Sequence, residues 1–293
     1  MNKHGNLIFI FMLTAALCIG TLIGVVAGNG LFDLAFPKET EPEIQESTSD
    51  SQSSDISDQP VDTTPKKMLA LTFDDGPNSV NTEKILDLLE QYDAKATFFI
   101  CGENLDIETR SVFQEAIQLG CEIGNHTFSH KNMTALSEKE LLEEIRKTNE
   151  KIAFHSGTDY QCKLYRPPYG LIDAEVMNTL YNNGIRMHSI HWSSDSMDWD
   201  YQDRYADQLI SREDAIEGAF ETIVSQTKEG TVILMHDVHS ITPDILKLVL
   251  EKYTAEGYSF VTVSELFGFE ENASKETYFN LYYSPNNISS VTK

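Results

Sequence analysis

Two acidic residues stand side by side at Asp74-Asp75, directly after an apolar run at 68–73, with Gly76-Pro77 behind them. Adjacent carboxylates can divide labour, one binding a cation while the other stays free to take a proton from a water. Further along, His126 and His130 are four residues apart, so both imidazoles can face one ion from a helical turn or a loop. With a carboxylate from Asp74 or Asp75 they make a two-histidine, one-carboxylate set with open positions, the kind a catalytic metal site uses. An HxxxH alone is an ordinary pair of loop histidines, and DDGP alone is an ordinary turn. The reading rests on both occurring where strands end.

Arg166, stiffly presented before Pro167-Pro168, could orient a carboxylate and leave a backbone N–H free to face an oxyanion. By itself it would read as a buried structural salt bridge. His236 follows the apolar run 232–235, with Asp237 beside it and Asp198 available to pair with it. That makes a general acid out of what would otherwise be a core histidine.

Short apolar runs at 68–73, 96–100, 121–124, 163–165, 186–191, 231–235 and 259–263 alternate with helical patterns near 82–92, 107–119, 138–154, 174–183, 212–227 and 243–256. This alternation predicts a βα-repeat protein with a mostly parallel sheet. Ser137 and Glu140 have the capping-box spacing at the third helix,. In such folds ligands bind at the carboxyl ends of strands. Five of these ends run into polar residues: Asp74-Asp75, His126 to His130, Arg166 to Gly170, Asp195 to Trp199, and His236-Asp237.

Before this region, residues 7–28 carry no charge and are rich in Leu, Ile, Phe, Val and Ala, long enough to cross a bilayer as a helix. Residues 1–6 form a short flank. The run predicts an uncleaved membrane anchor with the rest of the chain outside, or secretion if cleavage occurs near Ala27. Residues 29–66 read as a linker, with 37–65 made of Glu, Ser, Asp, Thr, Gln and Pro and almost no large apolar residue. Such a stretch cannot bury enough surface to repay ordering, and as a flexible coil it spans roughly 30 Å. The formal charge of −24 argues against a nucleic-acid partner, which needs Lys and Arg to neutralise phosphates. Cys101, Cys121 and Cys162 have neither disulfide-framework nor CxxC spacing and read as core residues with one optional bridge. The tail 269–293 is ambiguous between a docked strand and a frayed end.

The segments TFDDGP at 72–77, HTFSH at 126–130, RPPYG at 166–170, DSMDW at 195–199 and LMHD at 234–237, in this order, resemble the polysaccharide deacetylase family. This is carbohydrate esterase family 4, whose catalytic unit is the NodB-homology domain, and the resemblance covers 67–268. It implies an α/β fold, a distorted (β/α)7 barrel, in agreement with the seven expected strands. It also implies that Asp75, His126 and His130 hold a divalent metal, zinc first, with cobalt, manganese or nickel as alternatives. Asp74 would be the general base oriented by Arg166, and His236 the general acid paired with Asp198. The Tyr169 backbone N–H would face the oxyanion, while Trp199 and Leu234 would line the acetyl pocket.

A membrane-tethered domain of this kind resembles peptidoglycan N-acetylglucosamine deacetylases, so glycan strands of peptidoglycan are the expected partner. Chitin oligomers, poly-N-acetylglucosamine, N-acetylmuramic acid and O-acetyl xylan are the alternative substrates. A non-catalytic carbohydrate-binding relative is the alternative from another class.

Overall fold

In a computed structural model, residues 67–269 and 274–291 are described. The expected anchor at 7–28 and linker at 29–66 lie outside them. Among the described residues no helix is long and apolar enough to cross a membrane.

The elements run β1 (Lys67–Asp74), α1 (Asn81–Gln91), β2 (Ala96–Ile100), α2 (Arg110–Gln118), β3 (Glu122–Asn125), α3 (Glu138–Ser156), β4 (Leu164–Tyr165), α4 (Ala174–Asn182) and β5 (His188–Ile190). They continue with β6 (Ser194–Asp195), α5 (Asp198–Ala206), α6 (Arg212–Gln226), β7 (Val232–His236), α7 (Thr242–Ala255), β8 (Tyr258–Phe260), α8 (Val263–Phe267), β9 (Asn280–Ser284) and β10 (Asn287–Ser290). The sheet order is β10-β9-β5-β4-β3-β2-β1-β7-β6, with β8 paired to β1. All pairings are parallel except β9 with β10.

Strand alternation sorts β1 onto two faces. Leu69, Leu71 and Phe73 join the main core with Ile85, Leu86 and Leu89 of α1, Phe113 of α2, Ile223 of α6 and Val249 of α7. Each such burial contributes about 1.5–3 kcal/mol. Ala70 joins a second cluster with Phe99, Leu164, Ile190 and Tyr282. Thr72 and Asp74, two and four residues on, follow the same face, which places a carboxylate inside the sheet's curve. The ladder aligns the chemistry: Asp74 is level with His236 and Phe99, Ile100 with Asn125, Asn125 with Tyr165, and Asp195 with Leu234. Every polar strand end therefore opens on the same side.

Two features depart from the expected barrel. β5 pairs with β4 and β9, and β6 pairs with β7, so among the described residues no ladder joins β5 to β6. The architecture is an α/β half-barrel. The carbonyls of Ile190 and His191 at the end of β5 are taken instead by the guanidinium of Arg166. Three strands also lie beyond the seven expected. β6 has two residues, too few to show any periodicity, and β9 and β10 turn the ambiguous tail into a docked hairpin.

The capping box is formed, with Ser137 Oγ accepting from Glu140 N–H and the Glu140 carboxylate accepting from Ser137 N–H. α3 ends at Gly157, whose φ of 72° is the left-handed geometry a helix end favours. Cys101, Cys121 and Cys162 are free, the first two buried.

Candidate active site

Asp74 closes β1, and Asp75 turns away from the strand with φ 74°. That left-handed turn is tolerated by Asp better than by most residues. It is pinned by Asn104 Nδ2 donating to the Asp75 carbonyl at 2.7 Å. The two side chains are thereby split. Asp74 is buried, its Oδ1 accepting from Arg166 Nη1 at 2.7 Å, whereas Asp75 is partly open.

The loop after β3 brings the histidines in. Asn125 Oδ1 accepts from Thr127 N–H at 2.8 Å, while its Nδ2 donates to Ile145 O and Asn149 Oδ1 of α3. Glu144 of α3 accepts from the N–H groups of Phe128 and Ser129, both at 2.8 Å, and from Ser129 Oγ at 2.7 Å. So anchored, the loop aims His126 and His130 at Asp75. Each Nε2 lies 3.4 Å from Asp75 Oδ1, and the three ligand atoms lie within 4.8 Å of one another.

This donor set fits a divalent cation. With bonds of about 2.1 Å, the edge of a coordination tetrahedron is about 3.4 Å, the spacing seen between Asp75 and each histidine. His126 Nδ1 lies 2.7 Å from the carbonyl of Arg166, so it carries the proton and leaves the Nε2 lone pair for a metal. Burial, only partly offset by the Asp75 charge, takes the His126 imidazole down to about 3, which keeps it neutral. Asp74 Oδ2 is 3.7 Å from His126 Nε2.

A second pair faces this set. His236 Nδ1 lies 2.7 Å from Asp198 Oδ1, and Asp198 Oδ2 accepts from His236 N–H at 2.8 Å and Thr242 Oγ1 at 2.7 Å. Burial pushes the His236 imidazole down, but the charge and hydrogen bond of Asp198 outweigh it and raise the group to about 9. For Asp198, burial pushes upward, and the His236 charge and the donors reverse it to about 2. Asp74 behaves differently. Burial raises it above the usual carboxylate range, and the Arg166 charge only partly opposes this. One buried carboxylate is thus held as a charge and another is disposed to take a proton, the separation that acid–base chemistry needs.

These groups open on one cavity of about 450 Å³, lined by Asp74, Asp75, His126, His130, Pro167, Tyr169, Trp192, Asp195, Trp199, Leu234, His236 and His239. That is room for a sugar unit. Eight of the ten residues singled out in the sequence line it. The other two, Arg166 and Asp198, are fully buried behind Asp74 and His236. Leu234 is buried, while Tyr169 and Trp199 are 64% and 44% exposed, so the aromatics sit at the rim. Tyr169 has φ 61°, which turns the main chain of the Pro168–Gly170 segment. Asp195, Trp192 and His239 line the cavity without having been singled out individually. The signal for His239 was its place three residues after His236, its ring 5.5 Å from that of His236. Asp237 lies behind the site, accepting from Thr82 Oγ1 at 2.5 Å, with its other oxygen unpartnered. Burial pushes it up to about 7.

Comparisons with known proteins point to one family. The family model described as polysaccharide deacetylase matches residues 61–188. A bifunctional xylanase/deacetylase of Pseudobutyrivibrio xylanivorans is 37% identical over 69% of this chain and 31% of its own length. The chain thus spans about a third of that relative. A peptidoglycan-N-acetylglucosamine deacetylase of Bacillus cereus is 32% identical over 70% of this chain and 90% of its own length. The solved structure of the peptidoglycan deacetylase PdaC from Bacillus subtilis superposes with a TM-score of 0.59 at 35% identity, covering 68% of this chain and 89% of that one. This chain belongs to the polysaccharide deacetylase family, carbohydrate esterase family 4, a family of hydrolases.

Proposed function

We propose that the chain is a metal-dependent deacetylase that hydrolyses the N-acetyl group of N-acetylglucosamine residues in a polysaccharide, peptidoglycan first, and releases acetate. The observation that carries this reading is the pairing across one cavity of a two-histidine, one-aspartate set with an Arg-held carboxylate and an Asp-held histidine. Asp75, His126 and His130 would hold the metal, zinc being the natural choice for this donor set. When bound, it supplies Lewis-acid polarisation of the acetamide carbonyl and acidifies the attacking water.

The chain's own groups do the rest. Arg166 holds Asp74 Oδ1, which leaves Oδ2 as the atom that takes the water's proton. Asp74's raised affinity for protons suits it to that step,. The Tyr169 main-chain N–H donates to the oxygen that gains charge. His236 Nδ1 is engaged by Asp198, so its Nε2 proton is the one delivered to the sugar nitrogen as the C–N bond breaks. An amide nitrogen leaves poorly as an anion, so that proton is required. Trp199 and Leu234 offer an apolar wall to the acetyl methyl.

Peptidoglycan as the substrate is supported by the names of the B. cereus and B. subtilis relatives, of which the first states N-acetylglucosamine and the second, PdaC, N-acetylmuramic acid. The xylanase/deacetylase relative keeps acetylated xylan as the second reading. Residues 7–28 as a membrane anchor and 29–66 as a spacer would keep the 67–268 domain near the outer membrane face, where wall polymer is met first. Mass spectrometry of muropeptides after treatment tests this: free amines on N-acetylglucosamine are expected. Amines confined to N-acetylmuramic acid, or acetate from xylan alone, would overturn the substrate. Recovery of the protein wholly in culture medium would overturn the anchor.

A further inference from the structure

The C-terminal hairpin has no task in the chemistry above. β9 and β10 pair antiparallel, and β9 runs parallel to β5 with Ser189 level with Leu281 and Ile190 level with Tyr282. The hairpin lies beyond the segment 61–188 matched by the family model, and it covers the edge of β5 where the half-barrel is open. Along β9, neighbouring side chains take opposite faces. Tyr282 is buried against Phe267 and Phe269, ring centroids 5.2 and 4.8 Å away. Tyr283 lies against the ring of His191 at 4.8 Å.

His191 is where the hairpin meets the catalytic groups. Its N–H donates to the Tyr282 carbonyl at 2.8 Å. Its own carbonyl accepts from Arg166 Nη2 at 3.0 Å, and the Ile190 carbonyl accepts from Arg166 Nε at 3.2 Å. The same guanidinium grips Asp74. The His191 ring, buried, stands behind Gly170: a Cβ on that glycine would lie 3.7 Å from His191 Nδ1 and 3.0 Å from the Trp192 ring. Tyr169 and Gly170 both have positive φ, 61° and 66°, and for a tyrosine that conformation persists only where its surroundings impose it. His191 thus supports Arg166 through its main chain and the Tyr169 turn through its ring.

We propose that the C-terminal hairpin is a positioning part of the active site: Tyr283, packed against the His191 ring, holds the Arg166–Asp74 pair and the Tyr169 turn in the geometry needed for turnover. The inference rests on the deacetylase reading for its kinetic readout. A small displacement of groups like these costs rate with little effect on ground-state binding.

The test compares Tyr283→Ala, Tyr283→Leu, Tyr283→Phe and Tyr278→Ala in the full chain. Tyr278 stacks on His188 at 4.8 Å, so its removal strips an aromatic contact from the same region and serves as the structural control. Tyr283→Ala and Tyr283→Leu are expected to lower kcat about tenfold or more, with KM within about twofold. Zinc affinity, measured by competition with a chromophoric chelator, should stay unchanged. Tyr283→Phe should keep kcat, and Tyr278→Ala should lose thermal stability but keep kcat. The leucine variant decides if the alanine variant does not fold. Wild-type kcat in Tyr283→Ala and Tyr283→Leu, or an equal loss in Tyr278→Ala, overturns the proposal. Were the wild type itself to release no acetate, the deacetylase reading would fail separately, and amide hydrogen exchange would judge the hairpin. The His191 and Arg166 amides should exchange faster in Tyr283→Ala than in Tyr278→Ala, and equal exchange overturns the proposal.

Discussion

Replacing Asp198 by Asn removes the charge that holds His236 protonated while keeping the side chain's shape. His236 is raised from 6.5 to about 9, with burial pulling down and the Asp198 charge and hydrogen bond pulling up. Without that charge burial is opposed by the Asp74 and Asp75 charges alone, and His236 falls back toward about 6.5,. At pH 8 the protonated fraction then drops from about nine-tenths to about 3%, roughly a thirtyfold loss of the acid form. A cation held by Asp75, His126 and His130 lowers the absolute value in wild type and variant alike, so the separation of the two profiles is the quantity to read. The assay is kcat/KM for acetate release from pH 5 to 10: the basic limb should move down by about two units. An unmoved limb would refute the assignment of His236 as an acid sustained by Asp198. Stability follows the same linkage. Because the folded His236 value is raised, its contribution is full below about 6.5 and is lost as pH rises through about 9,. Because the Asp198 value is depressed to about 2, its share is full above 3.8 and is lost as pH falls through about 2,.

Three further outcomes are expected. Asp74→Asn should bind zinc as the wild type does and lose at least about a hundredfold in kcat; retained turnover in a kinetic assay would remove Asp74 as the base. His126→Ala should bring bound zinc below one per chain by atomic absorption, because one of three ligands is gone; unchanged stoichiometry would break the ligand set. Gly76→Ala places a Cβ 2.2 Å from both Asp237 carboxylate oxygens. This should destabilise the fold by about 1–3 kcal/mol, read as a lower Tm, and an unchanged Tm would contradict the close approach of Asp237 to that turn.

What could be read from the sequence was local. Asp74-Asp75, the histidine pair, Arg166 and His236 each follow an apolar strand-length run, and a parallel sheet brings such ends together whatever the details of its helices. Their convergence was therefore legible before any coordinates. What escaped depends on partners far along the chain. β6 is two residues long and exists because Ser194 and Asp195 pair with Ile233 and Leu234. α5, with the sequence DWDYQDRYA, offers only Tyr201 and Tyr205 as an apolar face toward the main core, and it is tied to the site by Asp198 reaching His236 and Thr242. The tail could not be read because NLYYS is no more strand-like than loop-like until Tyr282 finds Phe267 and Phe269. The open side of the barrel was hidden as well, since nothing near Arg166 in sequence announces that its guanidinium will take the carbonyls of Ile190 and His191.

The most direct test of the central claim is acetate release from purified peptidoglycan by the full chain, before and after removal of metal by a chelator and again after zinc is restored. The account predicts release that stops with chelation and returns with zinc. Release that chelation leaves untouched, or none from any N-acetylated glycan with zinc present, would contradict it.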